Sequence, residues 1–438
     1  MLKRFCMWGL AFWLSVPAFA QLKAEDVQSF TLKNGMKIFV LEDHSIPNAN
    51  MYLFWNVGSR NEKQGITGLS HFFEHMMFNG AKKYGPKQFD QVMEFNGGQN
   101  NAYTSQDMTV YTDFFPATAL ESIFDLEADR IRDLALDPKM IESERGVVHS
   151  EYTTGLENSP EEELDQAMLS VAFSQHPYMW SVIGYESDIL NWKREDLVNY
   201  FKTYYAPNNA ITFIVGDVKL ADVKRLAEQY FAPIPVLAPA PPVVHNKEPE
   251  QKGERRVMVN RDVPSPYVQI AYHTPEARHP DYYALDLLSA ILSRGQSSRL
   301  YKALVDTQIA SEAYTSFAPS IDPYLFSFTA QASDGKTADT LEAALLAEVD
   351  KVVKTGVTEA ELEKVKNQKV MDFYRSIQTN NGKANTLGRY ERYFGDYRKF
   401  FTASEDYRNV TVADIQRVAK TYFKKSNRTV GVLQKETE

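Results

Sequence analysis

The 438-residue sequence contains a single cysteine, Cys6. It also lacks any block of Lys and Arg. Its 48 basic residues are outnumbered by 57 acidic ones, for a formal charge of −9, a balance that argues against nucleic acid as the main partner. Long apolar runs are missing outside the N-terminus, which excludes a polytopic membrane protein. With 44% hydrophobic and 24% charged residues and only 21 Gly and 20 Pro, the chain is globular rather than disordered or collagen-like. A single core rarely grows past about 250–300 residues, so two or more domains are expected.

The N-terminus runs from a basic start (Lys3, Arg4) through an apolar middle to Ala18-Phe19-Ala20, the small-x-small pattern of a cleavage site. Residues 1–20 are expected to be a signal peptide, with a buried helix or a membrane anchor as the alternatives. Its removal takes Lys3 and Arg4 away and moves the charge from −9 to −11. It also removes Cys6, so the mature chain can form no disulfide, no Cys nucleophile and no thiolate–metal bond. Any metal must then be held by His, Asp and Glu. Cys6 precedes the apolar run, too early for lipid attachment. The expected location is periplasmic, or secreted, with no membrane span after processing.

Pro233-Ile-Pro-Val-Leu-Ala-Pro-Ala-Pro-Pro242 and the polar residues after it read as an extended linker, residues 233–253. It separates an N-terminal domain, 21–232, from a C-terminal one, 254–438. Residues 194–216 and 412–434 align without gaps at an offset of 218. Asp196/Asp414, Lys202/Lys420, Thr203/Thr421, Tyr204/Tyr422 and Asn209/Asn427 coincide, which predicts an internal duplication. Near the start, residues 29–41 alternate around Asn34-Gly35, a hairpin signal. Residues 50–57 read as a strand and 117–135 as a helix. Strands interleaved with helices predict an α+β fold: two homologous domains, each a mostly antiparallel sheet with helices packed on one face.

Within Gly68-Leu-Ser-His-Phe-Phe-Glu-His-Met-Met-Phe-Asn-Gly80, Leu69, Phe72, Phe73 and Met76 have the period of a buried helix. On it His71 and His75 lie one turn apart and point the same way. Two such imidazoles supply two corners of a tetrahedral zinc site, and Glu74 beside them can take a proton from an activated water. The order H-x-x-E-H inverts the commoner H-E-x-x-H. The bland alternative is a core helix with hydrogen-bonded histidines. Downstream, residues 137–152 carry Glu144 and Glu151 seven residues apart, on one helix face. They are either a solvated pair or a ligand and a group that orients a ligand histidine.

His71-x-x-Glu74-His75, a gap of 75 residues, then Glu151 preceded by Glu144, resembles the pitrilysin and mitochondrial-processing-peptidase-like family of inverted-zincin metallopeptidases. So do Asn56–Glu62, Gly97–Thr104, His176-Pro-Tyr178, Tyr205–Asn209 and Gly216-Asp217. The resemblance implies a pair of homologous α+β domains that enclose a chamber on pairing with a second subunit. It implies one zinc ion per chain, bound by His71, His75 and Glu151, with Glu74 as general base and Glu144 orienting a ligand. Asn101-Ala102 matches the family's edge strand, where a peptide would dock by strand addition, with Asn100 or Asn101 contacting a peptide group. An ordinary hairpin is the alternative for that segment. His149 should face elsewhere, and His176 reads as structural. His44, His245, His273 and His279 sit near turn or linker residues, with no assigned role.

The sequence departs from the family's second-domain Arg/Tyr pattern. Ser298-Arg-Leu-Tyr-Lys-Ala-Leu304 fits its start, but Val305 replaces the Arg, and Tyr314 matches the Tyr only with a two-residue shift. The second half carries no H-x-x-E-H of its own. The expected protein is an exported zinc endopeptidase acting on short or unfolded peptides. Val305 points to the catalytic subunit of a dimer, with a zinc-less homologous subunit supplying the Arg/Tyr pair. A homodimer using Tyr314, or a weak or narrow activity, would also account for Val305. A non-hydrolytic peptide-binding or scaffold subunit is the alternative of a different class.

Overall fold

In the computed structural model, which describes residues 22–436, Asn34-Gly35 turns the chain between β1 (Val27–Thr31) and β2 (Lys37–Glu42). Gly35 has φ +89°, and a Cβ there would lie 2.9 Å from Cβ of Asn208, so the turn needs glycine. The expected signal peptide, residues 1–20 with Cys6, lies outside the described residues. β3 (Asn48–Trp55), β4 (Gln99–Thr104), β5 (Thr109–Pro116) and β6 (Ala210–Gly216) complete a six-stranded sheet in the order β1-β2-β6-β3-β5-β4. β2 and β6 run parallel and the other neighbours antiparallel.

β7 (Arg255–Asn260), β8 (Tyr267–Thr274), β9 (Ala310–Ser316), β10 (Tyr324–Ala332) and β11 (Arg428–Gln434) form a second, five-stranded sheet ordered β7-β11-β8-β10-β9. Again one pair, β7 and β11, is parallel and the rest antiparallel. Apart from β1, the two orders correspond strand for strand. β4 and β9 take the same edge.

The residues that repeat in sequence also repeat their roles. Asp196 accepts from the N–H of Lys193 and Asp414 from that of Thr411, each at 3.0 Å, capping a helix start. Lys202 and Lys420 lie in the last turns of those helices, where a cation suits the dipole. Asn209 donates to the Tyr204 carbonyl at 2.8 Å and Asn427 to the Tyr422 carbonyl at 2.8 Å. Each also reaches a neighbouring strand end, at Asn56 O just past β3 and at His273 O in β8.

The expectation of helices on one face of each sheet is incomplete. Ile38 and Val40 of β2 pack into the helices of their own half, but Phe39 and Leu41 are buried on the opposite face. That face is covered by the helix Asn380–Phe394 of the second half, through Ala384 and Leu387. Reciprocally, the helix Pro160–Ala172 of the first half lies on the second sheet, burying Leu164 and Met168 with Ala271 and Leu433. Each exchanged helix is followed by two further helices and the last strand of its half, so the two are equivalent.

Residues 235–254 contain no helix or strand. They are nevertheless tied down, because the Glu248 carboxylate accepts from the backbone N–H groups of Ser174, Gln175 and His176 at 2.8, 2.9 and 3.2 Å.

Candidate metal centre

Leu69–Met76 forms a helix that buries Leu69, Phe72, Phe73 and Met76 and leaves His71 and His75 on the other side. Its start is held firmly. Gly68 has φ +86°, and a Cβ there would fall 2.3 Å from the carbonyl oxygen of Ile183. The buried Glu62 carboxylate accepts from the N–H groups of Gly68 at 2.8 Å and Ser70 at 2.7 Å, satisfying two open donors of the helix. The partner helix, Pro138–Asn158, begins on an Asp137 cap with Pro138 in its first turn. It presents Glu144 and Glu151 to the first helix.

Nε2 of His71 and Nε2 of His75 lie 3.3 Å apart. A Glu151 oxygen is 3.4 Å from the latter and 3.8 Å from the former. Ligand atoms about 2.0–2.1 Å from a tetrahedral ion are separated by roughly 3.3–3.4 Å. The three atoms therefore fit around one cation, and they form the one such group among the described residues. His75 Nδ1 is 2.8 Å from Glu144 Oε1, and Asn79 donates to the other Glu144 oxygen at 2.6 Å. With Glu144 accepting, the His75 proton sits on Nδ1 and the Nε2 lone pair faces the shared point. His71 Nδ1 is buried with no partner among the described residues.

Electrostatics act in opposite directions on the two histidines. Burial, followed by the charge of His75, lowers the His71 pKa to about 4, keeping its ring neutral at neutral pH. For His75, burial opposes the charged form, but Glu144, Glu151 and Glu74 outweigh it and the pKa rises. The hydrogen bond from His75 holds Glu144 below the usual carboxylate range. Glu74 moves upward, chiefly by burial and against the pull of its bond from Thr104 and the charge of His75. A base raised in this way is better matched to neutral pH.

His71, Glu74 and Glu151 open onto a cavity of about 790 Å³ between the two halves. β4 forms one rim, as an edge strand, and Ala102 and Thr104 line it. Two residues expected at the substrate site are otherwise engaged. Asn100 donates to Asp90 at 3.1 Å, and the Asn101 side chain accepts from the N–H of Ala102 at 2.9 Å. Neither lines the cavity. Tyr314 does, on β9, but its hydroxyl donates to Glu161. Arg299 is not in the cavity and forms a two-pronged pair with Glu361 at 2.7 and 2.8 Å.

The remaining histidines with buried or half-buried rings are structural. His149 faces Glu186 at 2.9 Å, away from the ligand cluster, and His176 bridges to Asp322 at 3.1 Å. His273 lies next to the end of β8, beside the turn that follows, and bonds the Ala172 carbonyl at 2.9 Å.

An acidic wall is the feature that the sequence did not announce. Glu161, Glu162 and Asp165 join Glu74 and Glu151 around the cavity, whose lining contains no Lys or Arg. Burial and then the mutual repulsion of Asp165, Glu312 and Glu162 raise the Glu161 pKa. The run Glu161-Glu162-Glu163 stands in plain view, but acids in a helix's first turn are usually dipole partners and signal nothing more.

Two duplicated α+β units, the first of which carries an H-x-x-E-H helix, define a class of metallopeptidase-like folds. Residues 37–185 match the family model "Insulinase (Peptidase family M16)", and residues 191–369 match "Peptidase M16 inactive domain". The zinc protease PqqE of Helicobacter pylori is 32% identical over 93% of this chain and 92% of its own. The mitochondrial-processing peptidase subunit beta of Lentinula edodes is 26% identical over 90% and 86%. The crystal structure of a protease from Helicobacter pylori superimposes with a TM-score of 0.90 at 32% identity, covering 93% of this chain and 99% of that one. The chain belongs to peptidase family M16.

Proposed function

We propose that the protein is a zinc metalloendopeptidase that hydrolyses short or unfolded peptides. The observation that carries this reading is the convergence of His71, His75 and Glu151 beside Glu74 at the wall of a cavity rimmed by an edge strand. The names of the relatives as zinc proteases support it.

Bound at those three residues, zinc would supply Lewis acidity toward a peptide carbonyl and acidify water. The chain's own groups do the rest. A peptide adds to the outer edge of β4, which fixes the scissile amide beside Glu74. Glu74 accepts a proton from water and returns it to the leaving amine. Glu144 keeps the His75 proton on Nδ1, so that Nε2 stays a ligand. Five carboxylates and no cation in the lining favour peptides with basic side chains near the cleaved bond.

The lining also brings no Arg to the developing negative charge, and Val305 stands where the family has one. The chain therefore acts as the catalytic subunit of a dimer, with a zinc-less homologous subunit as the partner that supplies the Arg and Tyr. No helix among the described residues is long and apolar enough to cross a membrane. The basic, apolar and Ala-x-Ala order of residues 1–20 supports a mature protein in the periplasm or outside the cell.

The test is to purify the chain alone and with a co-encoded homologue lacking H-x-x-E-H, and to measure zinc per chain, native mass and peptide cleavage. One zinc per chain, with cleavage that rises on adding the partner and is lost in Glu74→Gln, is expected. Zinc-loaded complex without cleavage would instead make the protein a peptide-binding scaffold. The match of residues 191–369 to a model described as inactive leaves that second reading in play.

A further inference from the structure

Glu74 is gripped from outside its own helix. Thr104 Oγ1 donates to Glu74 Oε2 at 2.6 Å. Among the described residues this is the one side-chain hydrogen bond to the Glu74 carboxylate. The last torsion of a glutamate is broad and roughly two-fold, so an unheld carboxylate swings freely. Here one oxygen is committed to Thr104, and the Glu74 side chain lines the cavity.

The donor itself is fixed. Thr104 ends β4, opposite Thr109 of β5, and the turn that follows is pinned by both halves of the chain. Ser105 N–H donates to the Met108 carbonyl at 2.8 Å. The buried Asp107 carboxylate accepts from Tyr178 Oη at 2.7 Å and from the Ile321 N–H at 3.1 Å. Arg392, on the exchanged helix Asn380–Phe394, donates to the Asp107 carbonyl at 2.6 Å. The Gln106 carbonyl accepts from the Arg60 N–H at 2.9 Å. The Thr104 hydroxyl is thus presented from a rigid corner rather than from a loose strand end.

We propose that Thr104 is a positioning residue for Glu74. It commits Oε2 to a fixed O–H donor, so that Oε1 alone is aimed at the water whose proton it accepts. Because Thr104 is also the last residue of the docking edge, the base and the strand that receives the peptide move as one body. The inference rests on the peptidase reading of the same centre. Preorganisation of this kind removes the need to reorient the base during reaction.

The test compares Thr104→Val, which keeps the shape without the hydroxyl, with Thr104→Ser, which keeps the hydroxyl, in the full chain with its partner. Thr104→Ala serves if the valine variant fails to fold. Zinc per chain is measured for each, with kcat and KM on an unfolded fluorogenic peptide. A fluorescein-labelled copy of that peptide gives Kd in the Glu74→Gln background with and without Thr104→Val. Expected are unchanged zinc, a kcat lower by about ten- to a hundredfold in Thr104→Val, an unchanged KM, recovery in Thr104→Ser, and equal Kd in the two Glu74→Gln backgrounds. Wild-type kcat in Thr104→Val, an equal loss in Thr104→Ser, or zinc lost in step with activity would overturn the proposal alone. A zinc-loaded wild type that cleaves nothing overturns the peptidase reading, and this proposal with it.

Discussion

Gly388, on a helix of the second half, lies so close to Phe54 of β3 that a Cβ would fall 2.0 Å from the ring carbon Cε2. The contact sets how near one half's helix comes to the other half's sheet. Gly388→Ala is expected to cost about 1–3 kcal/mol through overpacking. Gly146, in the helix that carries Glu151, has nothing within 4 Å of its would-be Cβ. Gly146→Ala should stabilise by up to about 1 kcal/mol. Urea unfolding of both variants checks the pair, and a neutral Gly388→Ala would contradict the packing described.

At the metal centre, three variants should separate three roles. Glu151→Ala loses zinc. Glu144→Gln keeps the fold but weakens zinc binding by about 10–100-fold, because an uncharged amide has one acceptor oxygen for the two donors His75 and Asn79. Glu74→Gln keeps zinc and loses at least about a hundredfold in kcat. Metal analysis beside steady-state kinetics distinguishes them, and equal zinc loss in all three would refute the assignment of roles.

The acidic wall should show in substrate choice. Glu161→Gln with Asp165→Asn is expected to raise KM for peptides bearing Lys or Arg near the cleaved bond and to leave neutral peptides nearly unchanged. Competition between a basic peptide and its neutral counterpart measures this directly. A preference that survives the double substitution would show that basic side chains bind elsewhere.

Asp43, just after the first half's β2, pairs with Lys383 on the exchanged helix. Burial raises its pKa, but the hydrogen bonds from Lys383 and Ser45 outweigh that and bring it from 3.8 to about 2. A depressed carboxylate adds stability that is full above its unfolded value and fades as the pH falls through the folded one. The stability difference between wild type and Asp43→Asn should therefore shrink between pH 3.8 and about 2. Denaturant titrations at several pH values test it, and a pH-independent difference would rule it out.

Much of this arrangement was legible beforehand because it is local. The Asn34-Gly35 hairpin and the helix carrying His71 and His75 declare themselves within one or two turns of chain, and the repeat of Asp196, Thr203 and Asn209 within a short gapless alignment. Helix exchange was not legible, since periodicity reports that a face is apolar and not whose helix covers it. A hint existed in Lys37-Ile-Phe-Val-Leu-Glu42 and Met51-Tyr-Leu-Phe-Trp55, continuous apolar runs of the kind that strands buried on both faces display. Thr104 was out of reach for another reason. Nothing in a strand-end threonine marks it, and only folding carries it to a glutamate 30 residues earlier.

The reciprocal crossing of the helices Pro160–Ala172 and Asn380–Phe394 makes the two halves stand to each other as protomers of a domain-swapped dimer whose subunits became joined head to tail. Cleaving the peptide chain within the proline-rich stretch should leave two fragments that stay associated and cannot be parted without denaturant. Neither fragment would survive by itself, since each would bare a sheet face built to receive a borrowed element.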